Sequence, residues 1–194
     1  VYELQHFMQW GVPSDLIEYQ YWSNIFKEIV KEKMPPYHKG LLLLPMAGLG
    51  SRFQEEGYET PKPLILVSGM PMAIQAMNDM PNTDVQRYIL RNDMDGLTKL
   101  IYEISHTSEN PSFKVIDAVT DGQATTCVLG SNDLALDQPV TIAACDNGML
   151  YDSGKFNDLM LDDDIDVIVW GARGYPGAIR SPKMYGWIET ENST

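Results

Sequence analysis

The stretch that decides the fold is residues 41 to 53, which read Leu-Leu-Leu-Leu-Pro-Met-Ala-Gly-Leu-Gly-Ser-Arg-Phe; residues 61 to 67 follow as Pro-Lys-Pro-Leu-Ile-Leu-Val. The leucine run is short, wholly apolar and bounded by proline and glycine, which predicts a strand buried on both faces. Gly48 and Gly50 allow a sharp turn and a close approach to a bound group, with N–H donors unobstructed by a Cβ. Ser51 adds a hydroxyl. The pattern predicts a loop that cradles phosphate.

Two cations, Arg52 and Lys62, add fixed positive charge to this loop. Common phosphate-loop patterns do not fit. The Walker pattern requires a lysine directly after its second glycine, and none follows Gly50. The dinucleotide fingerprint requires a third glycine where this chain has Phe53. A Gly-x-Gly by itself is equally typical of an ordinary strand-to-loop turn. The residues around it therefore have to distinguish a phosphate-binding loop from a simple turn.

The composition indicates one soluble globular domain with an anionic character. A chain of 194 residues is long enough to bury a core without disulfides or metal, and 44% hydrophobic and 21% charged residues are ordinary values. A net charge of −13 argues against nucleic acid as a partner, because no basic stripe is present to neutralise a phosphate backbone. An acidic protein that binds an anion needs a focused basic site, often with a divalent cation.

The cysteines and histidines argue against disulfide bonds and against a histidine-based metal site. Cys127 and Cys145 lie among apolar or small residues, which predicts reduced, buried thiols. His6, His38 and His106 lack the spacing of metal ligands. No apolar run approaches the length of a membrane span and no signal-like segment opens the chain, so we expect a cytoplasmic protein with no membrane partner.

Alternating strand and helix patterns predict an α/β sandwich with a largely parallel central sheet. The amphipathic helix near the start is expected to begin after a Ser14 cap and to pack on the core with its aromatic face, and the acidic run at 162–164 is interpreted as a solvated turn. The predicted strands are 41–44, 64–67, 87–90, 113–116, 140–144, 166–170 and 185–189, and the predicted helices are 14–33, 72–80, 93–104, 121–129 and 155–161.

Right-handed crossovers bring the carboxyl ends of parallel strands to one edge, where ligands bind in open α/β sheets. The glycine loop, the Asp121-Gly122-Gln123 turn and the Cys145-Asp146-Asn147-Gly148 turn should converge there. Asp146 is well placed to hold Mg²⁺, although Asp-Asn-Gly is also simply a good turn sequence. Gly122 and Gln123 offer a close backbone approach and an amide for a base edge, or else only a helix cap.

Gly-x-Gly-Ser-Arg-Phe followed by Pro-Lys-Pro-Leu resembles the signature of the sugar nucleotidyltransferases, also called nucleoside-diphosphate-sugar pyrophosphorylases. The resemblance runs from residue 41 to about residue 190. It implies a three-layer α/β/α sandwich, a Rossmann-like nucleotidyltransferase fold, with Mg²⁺ as cofactor. The positions it assigns are Ala47, Gly48, Gly50, Ser51, Arg52, Gly122, Gln123 and Asp146 for nucleotide binding, Arg52 and Lys62 for catalysis, Asn147, Gly148, Tyr185 and Gly186 for substrate binding, and Asp146 for the metal.

The implied reaction joins a nucleoside triphosphate to a sugar 1-phosphate, giving an NDP-sugar for surface polysaccharide synthesis and releasing pyrophosphate. The base is open, and so is the acceptor, which could be a hexose or heptose phosphate or phosphocholine. A homo-oligomer is compatible with the resemblance. A nucleotide-sugar-dependent glycosyltransferase and a non-catalytic nucleotide-binding module are the alternatives; the former usually carries an Asp-x-Asp motif that Asp146-Asn147-Gly148 lacks.

The two ends of the chain resemble the family in an unusual order. Residues 1–37, which include Trp-Gly-Val-Pro-Ser-Asp-Leu, resemble the end of such a domain. Residues 38–194 resemble the nucleotidyltransferase domain without its last part, which usually supplies a second metal carboxylate. A piece of a tandem arrangement and a permuted or swapped assembly would both explain this order.

Overall fold

The computed structural model describes residues 11–29, 36–135 and 137–191. The chain divides into a larger compact unit, Met34–Leu161, and a smaller one formed by Val1–Lys33 with Asp162–Thr194. In chain order the elements are α1 (Pro13–Ile29), β1 (Tyr37–Pro45), α2 (Ser51–Glu55), a 3₁₀ turn (Lys62–Leu64), β2 (Leu66–Val67), β3 (Met70–Pro71), α3 (Met72–Asn78), β4 (Asn82–Arg91), α4 (Leu97–Thr107), β5 (Pro111–Ile116), α5 (Gln123–Ser131), β6 (Val140–Ile142), α6 (Ser153–Met160), α7 (Pro176–Arg180) and a second 3₁₀ turn (Pro182–Met184). In the part of the chain that is described, no helix is long and apolar enough to cross a bilayer.

The larger unit is built on a four-stranded sheet in the order β5-β4-β1-β6, and every neighbouring pair of strands is parallel. The leucine run lies in β1, at the centre of this sheet, and all four leucines are buried. A strand with parallel neighbours and covered faces has no solvent-facing side, which explains why its sequence is continuously apolar rather than alternating. The predicted α/β class and parallel sheet are confirmed.

Helices cover both faces of the sheet, which makes three layers. One face of β1 joins the core cluster of α3 and α4, whose members include Leu42, Leu44, Ile74, Met77, Leu100 and Ile104. The opposite face packs on α5 through Leu41, Leu43 and Cys127. Cys127 and Cys145 are buried free thiols, as predicted.

Close approach of α5 to the sheet depends on Gly130. A Cβ at that position would lie 2.2 Å from Cδ1 and 2.3 Å from Cγ1 of Ile89 in β4. Any larger residue would therefore push the helix away from the strand. Gly130 thus determines how near α5 packs.

The strand order creates a switch point beside the leucine strand. From β1 the chain moves outward to β4 and then β5, and it returns across the sheet to place β6 on the other side of β1. In open α/β sheets the crevice outside the carboxyl ends of such neighbouring strands is where ligands bind. Here those strands are β1 and β6, and the segments that follow them are the glycine loop and the Asp146 turn.

Predictions for the last third of the chain are wrong in one respect. The segments Asp166–Trp170 and Tyr185–Glu189 are not strands, and neither joins a sheet of the described residues. Val167 and Trp187 are 75% and 70% exposed. Their β-branched and aromatic composition favours a strand only where a sheet surface is available to pack against.

Within the smaller unit, α1 forms as predicted but differs in its start and its burial. It begins at Pro13, and the N–H groups of Asp15 and Leu16 donate to the carbonyl of Val12, so Ser14 is not the cap. No residue of this described helix is buried, contrary to the expected packing of its aromatic face on the core. Arg180 of α7 donates to Glu18 of α1 at 2.6 Å. The predicted helix end near residue 33 lies outside the described residues.

Candidate functional site

The glycine loop leaves the carboxyl end of β1 and turns at Gly50, which adopts φ +67° and ψ 25°. This left-handed conformation favours glycine because a Cβ would crowd the backbone. A Cβ on Gly50 would also lie 3.1 Å from Cβ of Lys62. Two independent features therefore favour glycine at position 50: its left-handed backbone conformation and the close packing of Lys62.

Lys62 connects the loop to the end of β6. Its Nζ donates to Oδ2 of Asp146, a residue 84 positions further along the chain. The same ammonium lies 5.8 Å from the centroid of the Phe53 ring, within range of a cation–π contact. The side chains of Lys62 and Asp146 remain 26% and 35% exposed, so both groups are accessible to a ligand.

Cys145, which precedes Asp146 in the chain, is buried. Burial, followed by the negative charge of Asp146, raises the pKa of the Cys145 thiol to about 11. The thiol is therefore neutral near pH 7 and is not a nucleophile there. The reactive charges at this strand end are those of Lys62 and Asp146.

Gly48, Ser51 and Arg52 are exposed on the loop. Unlike Gly50, Gly48 is outside the left-handed φ region, and a Cβ built on it would meet nothing within 4 Å. Packing within the chain therefore gives no reason for a glycine at position 48. The space in front of it is open to a ligand.

Ala47, by contrast, is buried, and its carbonyl accepts a hydrogen bond of 2.7 Å from Nη1 of Arg91 at the end of β4. The sequence reasoning missed Arg91 because an arginine at the end of a strand resembles any solvated boundary residue. Its Nε donates to Asp93, so this first residue of the predicted helix 93–104 is an ion-pair partner that lies outside α4. Gly96 occupies the cap position.

Gly122 and Gln123 begin α5 on the opposite side of the same sheet edge. Gly122 is extended and its carbonyl accepts from the hydroxyls of Thr120 and Thr126, at 3.0 Å and 3.2 Å. The Gln123 amide donates to the carbonyl of Ala143 at 3.4 Å, just after β6. The structure thus places Gln123 beside the segment that leads to Asp146.

The turn after Asp146 is held by the carboxylate of Asp79, the residue that caps the C-terminal end of α3. Oδ2 of Asp79 accepts from the N–H of Met149 at 3.1 Å and would lie 3.0 Å from a Cβ on Gly148. Asn147 and Gly148 are both exposed. Asp79 was not predicted, because nothing in the local sequence signals a contact 70 residues away.

Tyr185 and Gly186, the predicted sugar-binding pair, belong to the smaller unit. Tyr185 packs edge-on against Tyr175, with ring centroids 5.7 Å apart, and it is 40% exposed. The structure therefore assigns them to a different compact unit from the glycine loop.

The donor set at Asp146 fits one kind of metal site. Among the described residues, no group of three or more histidine, cysteine or acidic side chains is arranged to hold a metal ion. Mg²⁺ often uses one or two carboxylates and completes its coordination with water and substrate phosphate. Asp146 fits a site of this kind, in which one protein carboxylate, water and substrate phosphate would share the coordination of Mg²⁺.

No protein-family model and no curated protein matches the chain. Several solved structures of nucleotidyltransferases match part of the chain. A nucleoside-diphosphate-sugar pyrophosphorylase from Vibrio cholerae is 20% identical with a TM-score of 0.48, and the match covers 59% of this chain and 52% of that one. A protein from Bacillus anthracis, assigned as a glucose-1-phosphate thymidylyltransferase, is 17% identical with a TM-score of 0.48, over 63% and 50% of the two chains. The inositol-1-phosphate CTP transferase from T. maritima is 14% identical with a TM-score of 0.44, over 55% and 43%.

The chain spans about half the length of the solved structures it matches. These likenesses therefore describe part of each protein. Sugar nucleotidyltransferases, the class that the sequence resembles, are among them.

Proposed function

We propose that this chain carries the triphosphate half of a nucleotidyltransferase that joins a nucleoside triphosphate to a phosphorylated acceptor and releases pyrophosphate. The observation that supports the proposal most strongly is the meeting of loop and turn at the switch point. Gly50 packs on Lys62, and Lys62 in turn reaches Asp146 at the end of the neighbouring strand. One cation thus links the phosphate-loop candidate to the metal-ligand candidate.

The reaction needs little chemistry from the protein. An acceptor phosphate oxygen is already an anion, so its attack on the α-phosphorus requires neither a covalent intermediate nor a strong base. Catalysis then consists of holding two anions in line and neutralising charge on the leaving oxygen. Arg52 and Lys62 would supply that positive charge.

Mg²⁺, when bound to Asp146 and phosphate, would neutralise further negative charge. Lys62 donates to Asp146. Triphosphate binding therefore has to transfer Lys62 from the carboxylate to a phosphate oxygen. The accessible side chains of both residues allow this exchange.

For the nucleotide, we propose that Ala47, Gly48, Gly50, Ser51 and Arg52 surround the phosphates, with Gly122 and Gln123 at the base. The Gln123 amide can both donate and accept hydrogen bonds, which suits uracil, thymine or cytosine. Its placement beside the segment after β6 supports this assignment.

For the acceptor, we propose a sugar 1-phosphate, with Asn147 and Gly148 beside it. The exposure of Asn147 and Gly148 just after Asp146 supports this placement. A substrate-binding role for Tyr185 and Gly186 rests on the sequence resemblance alone, as do an NDP-sugar product destined for surface polysaccharide and a cytoplasmic setting.

The experiment that tests the function is a pyrophosphate-release screen with purified chain. The four common ribonucleoside triphosphates and thymidine triphosphate are each combined with hexose 1-phosphates, a heptose phosphate or choline phosphate, with and without Mg²⁺. We expect release that requires both an acceptor and Mg²⁺. Arg52→Ala should abolish most of it, whereas Lys99→Ala, an exposed lysine on α4, should leave it unchanged.

The alternatives give different results in the same screen. Triphosphate binding without release for any acceptor would indicate a non-catalytic module. Consumption of an NDP-sugar with transfer of the sugar itself would indicate a glycosyltransferase. Release at the wild-type rate by the Arg52 variant would contradict the assigned site.

A further inference from the structure

Arg91 is a buried cation directly behind the glycine loop. It ends β4, is 7% exposed, and donates from Nη1 to the carbonyl of Ala47 at 2.7 Å. Its Nε donates to Asp93, whose carboxylate is largely exposed. A buried arginine is costly unless it is paired and hydrogen-bonded, and these partners satisfy that requirement from two sides of the guanidinium.

The geometry of the peptide bond gives this contact a consequence on the far side of the loop. In a planar trans peptide the carbonyl of one residue and the N–H of the next point in opposite directions. The carbonyl of Ala47 points inward to Arg91. The N–H of Gly48 must therefore point away from Arg91.

On that outward side the chain leaves open space. Ala47 is buried but Gly48 is exposed, and a Cβ built on Gly48 would meet nothing within 4 Å. A hydrogen bond from a cation to the carbonyl also polarises the peptide and makes its N–H a stronger donor. The Gly48 N–H is consequently oriented and strengthened toward the region where the proposed phosphate would bind.

We propose that Arg91 is a positioning residue that fixes the Ala47–Gly48 peptide so that the Gly48 N–H donates to a phosphate oxygen of the bound triphosphate. The inference rests on the proposed function for the identity of its ligand. Arg91 itself does not touch the phosphate. It acts through the peptide, and the anion-binding group is the backbone N–H.

Arg87 provides a matched control on the same strand. It is also buried, at 5% exposed, and its Nη1 also donates to a backbone carbonyl, that of Gly130 at 3.2 Å, and to a carboxylate, Asp133 at 3.0 Å. Its contacts are with the end of α5 and not with the glycine loop. Loss of Arg87 should therefore cost stability in the same way as loss of Arg91, without changing the Gly48 N–H.

The test is a titration of the ¹⁵N-labelled full chain with inorganic tripolyphosphate in the presence of Mg²⁺, following the amide resonance of Gly48 by NMR. Wild type is compared with Arg91→Met, Arg91→Lys and Arg87→Met. We expect the wild-type Gly48 proton to shift downfield saturably. Arg91→Met should weaken tripolyphosphate binding by about tenfold or more, as for loss of a charge-assisted arrangement. Arg91→Lys should fall in between, and Arg87→Met should stay within about twofold of wild type.

A second readout separates positioning from general damage. With the triphosphate that supports pyrophosphate release, Arg91→Met should raise KM for the triphosphate while leaving KM for the acceptor unchanged. Equal weakening by Arg91→Met and Arg87→Met would overturn the inference, as would tripolyphosphate binding by Arg91→Met within twofold of wild type. If Arg91→Met does not fold, Arg91→Lys provides the test. Wild-type affinity of Arg91→Lys for tripolyphosphate, together with a Gly48 amide resonance at its wild-type position, overturns the inference.

The two proposals fail separately. Wild-type chain that binds tripolyphosphate through Gly48 but releases no pyrophosphate would reject the nucleotidyltransferase function and support the role of Arg91. Wild-type chain that releases pyrophosphate, with an Arg91→Met variant of unchanged KM for triphosphate, would reject the role of Arg91 and support the function. Failure of wild type to bind tripolyphosphate overturns the inference.

Discussion

Replacing Gly50 by alanine tests whether the loop and Lys62 act as one unit. Alanine at φ +67° places a Cβ in the left-handed region, which costs roughly 1–2 kcal/mol. The new Cβ would also stand 3.1 Å from Cβ of Lys62, about 0.4–0.9 Å closer than an ordinary carbon–carbon contact. Lys62 must move by a few tenths of an ångström to relieve it. The variant should therefore lose stability and also displace the ammonium from its place beside Asp146.

Two other glycines separate these effects. Gly57 has φ +84° and open space around a Cβ, so Gly57→Ala carries the backbone strain without the contact. Gly48 has neither a left-handed φ nor a close neighbour, so Gly48→Ala should not change stability. We expect the free energy of unfolding to fall by about 1–2 kcal/mol for Gly50→Ala and Gly57→Ala, which corresponds to a Tm lower by about 2–8 °C.

Activity should order the same variants differently. Pyrophosphate release should fall on the order of tenfold or more for Gly50→Ala, because small displacements of a positioning charge are costly. It should fall for Gly48→Ala as well, because the added methyl occupies the proposed phosphate space, and it should be unchanged for Gly57→Ala. Equal activity of Gly50→Ala and Gly57→Ala at equal stability would refute the coupling of loop and lysine.

Further predictions concern catalysis, alkaline stability and packing. Lys62→Ala should lower pyrophosphate release by about 10²-fold while Lys99→Ala does not, as measured by initial rates. Burial raises the pKa of Tyr88 to about 12 from its ordinary value of 10.0, so the folded state retains a proton that the unfolded state loses. Stability should therefore fall as the pH rises from about 10 toward 12, and Tyr88→Phe should flatten that decline in urea unfolding; an unaltered slope would contradict the assignment. Gly130→Ala should destabilise by about 1–3 kcal/mol through its clash with Ile89, and it should cost much less in an Ile89→Ala background, which a double-mutant cycle measures.

Structural features that depend on neighbouring residues in the chain could be predicted from the sequence. A continuous apolar run followed by proline and glycine indicated a strand with both faces covered, and the structure places residues 41–44 at the centre of the sheet. The tight turn between β2 and β3 is equally local, because Ser68 and Gly69 both adopt the positive φ that such a hairpin requires. These features depend on residues close together in the chain.

Features that depend on distant partners could not be predicted in this way. The segment 167–170 has strand-like composition, yet Val167 and Val169 are 75% and 68% exposed. A β-forming pattern states a preference for a pleated, half-buried surface but does not supply that surface. The placement of Tyr185 in a different compact unit from the glycine loop is of the same kind, because sequence order fixes neither unit boundaries nor contacts.

The cations of the candidate site show why some of its residues could be predicted from the sequence and others could not. Arg52 and Lys62 stand out in an acidic chain because they follow glycine and proline punctuation, where a charge suggests a ligand. Arg91 ends a strand, where a charge suggests only solvent, and its role depends on a carbonyl 44 residues away. The positive charges therefore divide by the side of the loop they occupy. Under the proposed function, a phosphate oxygen takes Lys62 from Asp146, whereas Arg91 orients the Gly48 N–H from behind the peptide without competing for the phosphate.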